Sequence, residues 1–187
     1  MHIYIKNMVC NRCIMVVQEQ LQKLGLDVTK IILGEAELKQ ELSDEQKTLL
    51  RERLLSLGFE LLDDKKSIII EKIKNIIIHL VHHQDSDIRT NLSELLSKEL
   101  HHDYGYLSNL FSETEGITIE KFFIAQKIER VKELLVYDEL SLSEIAAQLN
   151  YSSVAYLSNQ FKKVTGLTPS HFKQKKEDKR KPLDQII

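Results

Sequence analysis

Between Leu92 and Phe122 the chain sets out a hydrophobic frame that returns fifty residues later without a gap. Leu92-Ser93-Glu94 comes back as Leu142-Ser143-Glu144, and Tyr106-Leu107-Ser108-Asn109 and Phe111 come back as Tyr156-Leu157-Ser158-Asn159 and Phe161. Gly116, Thr118 and Phe122 return as Gly166, Thr168 and Phe172. An ungapped internal match implies one supersecondary unit used twice. In the second copy Leu142, Ile145, Ala146 and Leu149 recur at helical spacing. Ser141 or Ser143 can cap that helix, and Glu144 lies in its first turn. Asn150 suits a left-handed turn. A second helix, starting near Ser152 or Ser153, puts Val154, Leu157, Phe161 and Val164 on one stripe and stops at Gly166. The first copy repeats the form: a helix over 92–100, a turn around His101-His102-Asp103, and a helix with Leu107, Leu110 and Phe111 facing inward. Helix, short turn, helix is the helix-turn-helix unit.

The outer face of each second helix is small or polar. It carries Gly105, Ser108, Asn109 and Ser112 in the first copy, and Ala155, Ser158, Asn159 and Lys162 in the second. Positions spaced in this way are those a helix offers to a DNA major groove, where Asn can bond adenine through two atoms. A helical bundle with a solvated face would show the same pattern. Between the copies, residues 120–136 hold neither Gly nor Pro and carry Phe122, Ala125, Ile128, Val131, Leu134 and Leu135 as an apolar stripe. At ~1.5 Å per residue this helix spans roughly 25 Å. Such a strut can hold two reading helices about one DNA turn, roughly 34 Å, apart.

The stretch KIERVKELLVYDELSLSEIAAQLNYSSVAYLSNQFKKVTGLTPSHFK resembles the DNA-binding domain of AraC/XylS-type transcription regulators. The resemblance covers about 67–173 and is most specific at Ala147 to Tyr151, Phe161 to Pro169 and Arg130 to Leu135. It implies seven helices, with two helix-turn-helix units in successive major grooves. The first would be Ile68 to His82, buried through Ile70, Ile73, Ile77, Leu80 and Val81. Carried over by position, the base-reading residues are Gly105, Ser108 and Asn109, then Val154, Ala155 and Asn159. Neither helix has an arginine at these places, so the strong bidentate guanine contact is missing. Nor is the domain basic overall, the usual footprint of a DNA binder. Positive charge is local: Lys127, Arg130 and Lys132 on the strut, Lys162 and Lys163, and the tail KQKKEDKRK. Arg130, Lys162 and Lys163 are the expected phosphate contacts.

The front of the chain has another texture. His2 to Asn7 alternates as a strand, and a helix runs from about Cys13 to Leu24 with Val16, Val17, Gln20, Leu21 and Leu24 inward. Val28 to Leu33 and Glu35 to Leu38 are strand-like. Ser43 and Gln46 form a capping box for a second helix, which carries Leu49, Leu50, Arg53, Leu54 and Leu57 and stops at Gly58. Phe59 to Leu62 is a last strand. The order βαββαβ is the ferredoxin-like unit, and Met8-Val9-Cys10-Asn11-Arg12-Cys13 resembles the metal loop of heavy-metal-associated domains. Thiolates at a helix start can grip a soft ion such as Cu(I) or Zn(II), with the helix N-terminus favouring their charge. A reversible disulfide or a purely structural role stays open, since two cysteines are half of a closed tetrahedral site. The pairs His82-His83 and His101-His102 are expected at the surface or in turns, because adjacent histidines point to different helix faces.

The expected architecture is α+β: a heavy-metal-associated-like ferredoxin-like domain over 1–64, an AraC-type DNA-binding domain over 67–173 and a basic tail over 174–187. Asp63-Asp64-Lys65-Lys66 is the joint. Net charge is −2, and only 6 Gly and 2 Pro punctuate the 187 residues, as suits long helices. No nucleophile–base pair, phosphate loop or carboxylate dyad argues for an enzyme. No apolar run is long enough to span a bilayer, so no membrane association is expected and the compartment is read as cytoplasmic. Double-stranded DNA is the expected partner, with RNA polymerase beside it and a homodimer as a further reading. The rival from another class is a metal-trafficking or thiol-disulfide protein whose helical half docks partners.

Overall fold

The computed structural model describes residues 1–83, 91–174 and 183–186. The chain divides into two compact units, Met1–Asn75 and Ile76–Ile187. In the first, β1 (His2–Lys6), α1 (Asn11–Lys23), β2 (Val28–Ile32), β3 (Glu35–Leu38), α2 (Asp44–Ser56) and β4 (Glu60–Leu62) follow in order. The four strands form an antiparallel sheet ordered β2-β3-β1-β4, with Ile3 opposite Ala36 and Ile5 opposite Leu61. Alternation puts Ile3, Ile5, Ala36, Leu38 and Leu61 on one face, against Val17 and Leu21 of α1 and Leu50 and Leu54 of α2. Ser43 and Gln46 close the capping box of α2.

Two expected inner residues of α2 face solvent: Leu49 and Leu57 are each more than two-fifths exposed. Leu50 and Leu54, one turn apart, complete the buried contact, and Leu57 already lies past the last residue of the helix. The boundary between the units also differs from the charged joint. It falls inside α3 (Lys65–Ile78), because this helix is tied to the sheet as far as Asn75. Glu71 accepts the Asn7 amide at 2.9 Å, Lys72 reaches Glu35 at 3.2 Å and covers the Tyr4 ring, and Asn75 crowds Gly34.

The second unit begins in the last turn of α3, widens into a π turn over His79–His83, and continues as α4 (Leu92–Leu100), α5 (Tyr104–Glu115), α6 (Ile119–Tyr137), α7 (Leu142–Gln148), α8 (Val154–Thr165) and α9 (Pro169–Gln174). The central element is α6, which touches the π turn, α5, α7, α8 and α9. Ile128, Val131 and Leu135 of α6 pack with Leu80, Ile145, Leu149, Leu157, Phe161 and Phe172.

Two expectations are corrected here. His82 is not a surface residue: its side chain is 5% exposed, and its Nε2 lies 3.0 Å from Oε1 of the fully buried Gln126. The widened turn swings it under α6, a packing effect that helix periodicity does not reveal. Val164 is exposed rather than inward, because the inner face of α8 continues from Phe161 to Thr165, four residues on. At the end of the tail Gln126 Nε2 donates to the Leu183 carbonyl at 3.3 Å, Leu183–Gln185 form a 3-10 turn, and Ile186 is buried. The basic run 175–181 lies outside the described residues.

Candidate nucleic-acid interface

The sequence repeat is a structural one. Helices α5 and α8 have bounds fifty residues apart, and each ends at a glycine in the left-handed region, Gly116 at φ 72° and Gly166 at φ 77°. Thr118 and Thr168 then accept the amides of Lys121 and His171 at 3.2 and 3.3 Å, opening the next helix in the same way. Behind each of these helices an aromatic pair sets its seat: Phe111 against Phe122 at 5.6 Å between ring centres, and Phe161 against Phe172 at 5.5 Å. The buried letters of the repeat are therefore those that lock each helix, while on α5 and α8 the exposed letters are kept at Tyr106/Tyr156 and Asn109/Asn159 and differ elsewhere.

The turns differ between the copies. Helix α4 ends at His101 in the left-handed conformation, with Asp103 capping α5. Helix α7 stops earlier, Asn150 takes the left-handed position, and Ser153 caps α8. Ser141, rather than Ser143, caps α7, in a capping box with Glu144.

Gly105, Asn109, Ala155 and Asn159 are exposed on their helices, while Ser108, Val154 and Ser158 are half-buried. The three expected residues of each helix lie in its first six positions. Gly105 has its own local reason. Its amide donates to Asp103 Oδ1 at 2.8 Å, and a Cβ there would sit 2.9 Å from that oxygen. Sequence reasoning passed over two neighbours: Tyr106 and Tyr156 stand exposed at equivalent places, with rings beside His102 and Tyr151. Their recurrence inside the repeat was the signal available.

The cations separate into two groups. Lys162 and Lys163 are exposed in the last turn of α8. The strut cations are turned inward. Lys127 is 8% exposed with its ammonium 3.9 Å from the centre of the Tyr151 ring, and burial pulls it down to about 8. Lys132 bonds Glu129 at 2.5 Å, and Arg130 bonds Glu133 at 2.7 Å while half-buried. Tyr104 donates to Glu120, and its hydroxyl is pushed well above the ordinary tyrosine value by burial and that carboxylate.

In the first unit Cys10 immediately precedes α1, without a side-chain cap bond, and Cys13 lies in its first turn, with the two sulfurs 3.5 Å apart. Burial opposes ionisation of Cys10, but hydrogen bonds from Cys13 and Arg12 prevail and hold its thiol below the ordinary value. Burial and the neighbouring sulfur push Cys13 up. Met8 is fully buried in the core. Among the described residues no cluster of three or more His, Cys, Asp or Glu could hold a metal ion.

These features are those of a paired helix-turn-helix unit, and residues 96–175 match the family model described as a helix-turn-helix domain. Over 67 residues the chain is 34% identical to the xylose operon regulatory protein of Escherichia coli K12, covering 36% of this chain and 17% of that protein. Over 72 residues it is 35% identical to the uncharacterized transcriptional regulatory protein YesN of Bacillus subtilis, covering 37% of this chain and 20% of that one. The chain thus spans about a fifth or less of the length of these curated relatives. The C-terminal domain of AraT, a response regulator from Geobacillus stearothermophilus, superposes with a TM-score of 0.51 at 25% identity, over 63% of this chain and 95% of that domain. No helix among the described residues is long and apolar enough to cross a membrane.

Proposed function

We propose that the chain regulates transcription by binding double-stranded DNA through α5 and α8, each laid in a major groove. The observation that carries this reading is the repeated seat: two helices held by the same aromatic pair, glycine stop and threonine cap, each with a small, polar outer face. Small side chains let the helix backbone approach base edges, and Asn109 and Asn159 offer the donor–acceptor pair that matches adenine. Gly105, Ser108, Val154 and Ala155 complete the reading sets. Lys162 and Lys163 reach phosphates beside the second helix, and Arg130 joins them only by exchanging its bond to Glu133. RNA polymerase is the partner that such a regulator addresses. The test is selection from a random DNA pool followed by footprinting. Two protected segments about ten base pairs apart on one face of the duplex are expected. Asn159→Ala should relax one base position at a cost of roughly 1–3 kcal/mol. Equal affinity for every sequence at moderate salt would end this reading.

A second proposal concerns the front unit. Its strand order and βαββαβ succession are those of the ferredoxin-like fold, and its Cys10–Cys13 loop is similar to that of heavy-metal-associated domains. Two sulfurs 3.5 Å apart, with Cys10 biased toward thiolate, suit a soft ion held by two thiolates, or a reversible disulfide. Cu(I) fits that donor pair, whereas Zn(II) needs two further ligands, which a homodimer through this unit would supply. The measurement is DNA affinity of the wild type and of a Cys10→Ser/Cys13→Ser variant, with and without Cu(I), Zn(II) or a thiol oxidant. A site that informs DNA binding should change affinity about 5- to 150-fold in the wild type alone. Identical affinities under every condition, with no ion bound, would leave the pair a structural role.

A further inference from the structure

The two reading helices share one seat but not one charge. Over residues 91–118 the first copy carries Lys98 against Glu94, Glu99, Asp103, Glu113 and Glu115, a net −4. Over the equivalent residues 141–168 the second carries Lys162 and Lys163 against Glu144, a net +1. The sharpest exchange is at one place. Lys163, exposed on α8, has Glu113, exposed on α5, as its counterpart fifty residues earlier. Because the inner contacts of the two helices correspond residue by residue, so do their outer positions. The caps differ in the same sense: neutral Ser153 begins α8, and the carboxylate of Asp103 begins α5. The strut brings no relief, since Lys127 and Lys132 are buried and Arg130 is bonded to Glu133.

We infer that the two heads divide their work, with α8 anchoring the chain on the duplex and α5 reading its groove without neutralising phosphate. The inference rests on the reading that α5 and α8 meet DNA. Each phosphate neutralised contributes about 0.9 to the slope of log affinity against log salt. Helix α5 carries no Lys or Arg and so contributes nothing to that slope, and it adds repulsion from Glu113 where α8 has attraction. Raising salt weakens the anchor, but at any one salt concentration the first head, with repulsion and no phosphate neutralised, is the weaker contact. Its segment of the footprint should therefore fade well before the other as protein is diluted.

The experiment uses the full chain on its best selected duplex, with hydroxyl-radical footprints and affinities taken from low to physiological salt. The wild type should keep one protected segment at physiological salt and lose the other. Glu113→Lys should restore the lost segment, raise affinity about tenfold at 0.1 M salt and steepen the salt slope by about one. Glu113→Gln, which only removes repulsion, should raise affinity by a smaller factor and leave the slope unchanged. Lys163→Gln should flatten the slope by about one. Equal persistence of both segments in the wild type, or no gain from Glu113→Lys in a variant with wild-type helical circular dichroism, overturns the division of work while leaving DNA binding intact. A wild type that protects no segment and shows no salt-dependent retention overturns the DNA reading and this inference with it.

Discussion

Lys127 should weaken the protein that contains it. The residue is 8% exposed, and burial brings its ammonium from an ordinary 10.5 down to about 8. That gap corresponds to roughly 3 kcal/mol spent on holding the charge inside at pH 7. The Tyr151 ring, 3.9 Å from the nitrogen, and the Phe123 ring at 5.5 Å return part of it, about 1–2 kcal/mol by attraction of the cation to the ring faces. Lys127→Met keeps the chain length and volume and removes the charge, so it should stabilise the helical unit by about 1–2 kcal/mol at pH 7. The sign with pH follows from linkage. The folded state releases its proton near 8 and the unfolded chain near 10.5, so between these values the unfolded state holds more protons. Wild-type stability should rise over that window relative to the variant, and the advantage of methionine should shrink by pH 10. Urea unfolding followed by far-ultraviolet circular dichroism at pH 7, 8.5 and 10 measures this directly. A variant less stable than wild type at pH 7, or an advantage that does not change with pH, would refute the argument. DNA affinity and its salt slope should be unchanged by the substitution, since an ammonium facing Tyr151 is not facing phosphate.

Two other perturbations follow from the fold. His82 is buried and drawn down to about 4, chiefly by burial, so stability present above 6.5 should fall by roughly 3 kcal/mol as pH drops toward 4; His82→Gln should flatten that fall in an acid-unfolding series. Gly166→Ala forces a side chain into φ 77° and should cost about 1 kcal/mol or somewhat more in urea unfolding, with Gly116→Ala at φ 72° costing a similar amount.

What could be read without coordinates was what packing imposes on consecutive residues. The paired helices, their caps at Ser43 and Ser141, and the stops at Gly116 and Gly166 are local events, written within a few residues of where they act. The seat of each reading helix was legible because Phe111, Phe122, Phe161 and Phe172 recur in step. The fate of charge was not legible. Lys127 lies under Tyr151, twenty-four residues away in sequence, and His82 meets Gln126, forty-four residues away. A helix pattern tells which side a lysine is on, but not what another helix has placed there. Leu57 and Val164 failed for a different reason. Each sits where the helix ends or where a four-residue step replaces a three-residue one, and an apolar letter then no longer implies an inner face.

The same distinction governs how a duplicated unit can diverge. Positions 105 and 155 show the limit of that freedom. Ala155 is accommodated because Ser153 caps α8 through the Tyr156 amide at 3.1 Å. At the first copy Asp103 turns one carboxylate oxygen to both Gly105 and Tyr106, and the first of these bonds occupies the space a Cβ would need. The acidic cap and the glycine are therefore one choice. Once aspartate replaces serine at the head of α5, the exposed position two residues later is held to glycine. The helix then presents bare backbone where its twin presents a methyl group. A methyl group packs on the thymine methyl, and bare backbone does not. Under the proposed DNA reading, the charge difference between the heads carries a difference in what they would read, and Gly105→Ala should become tolerable only together with Asp103→Ser.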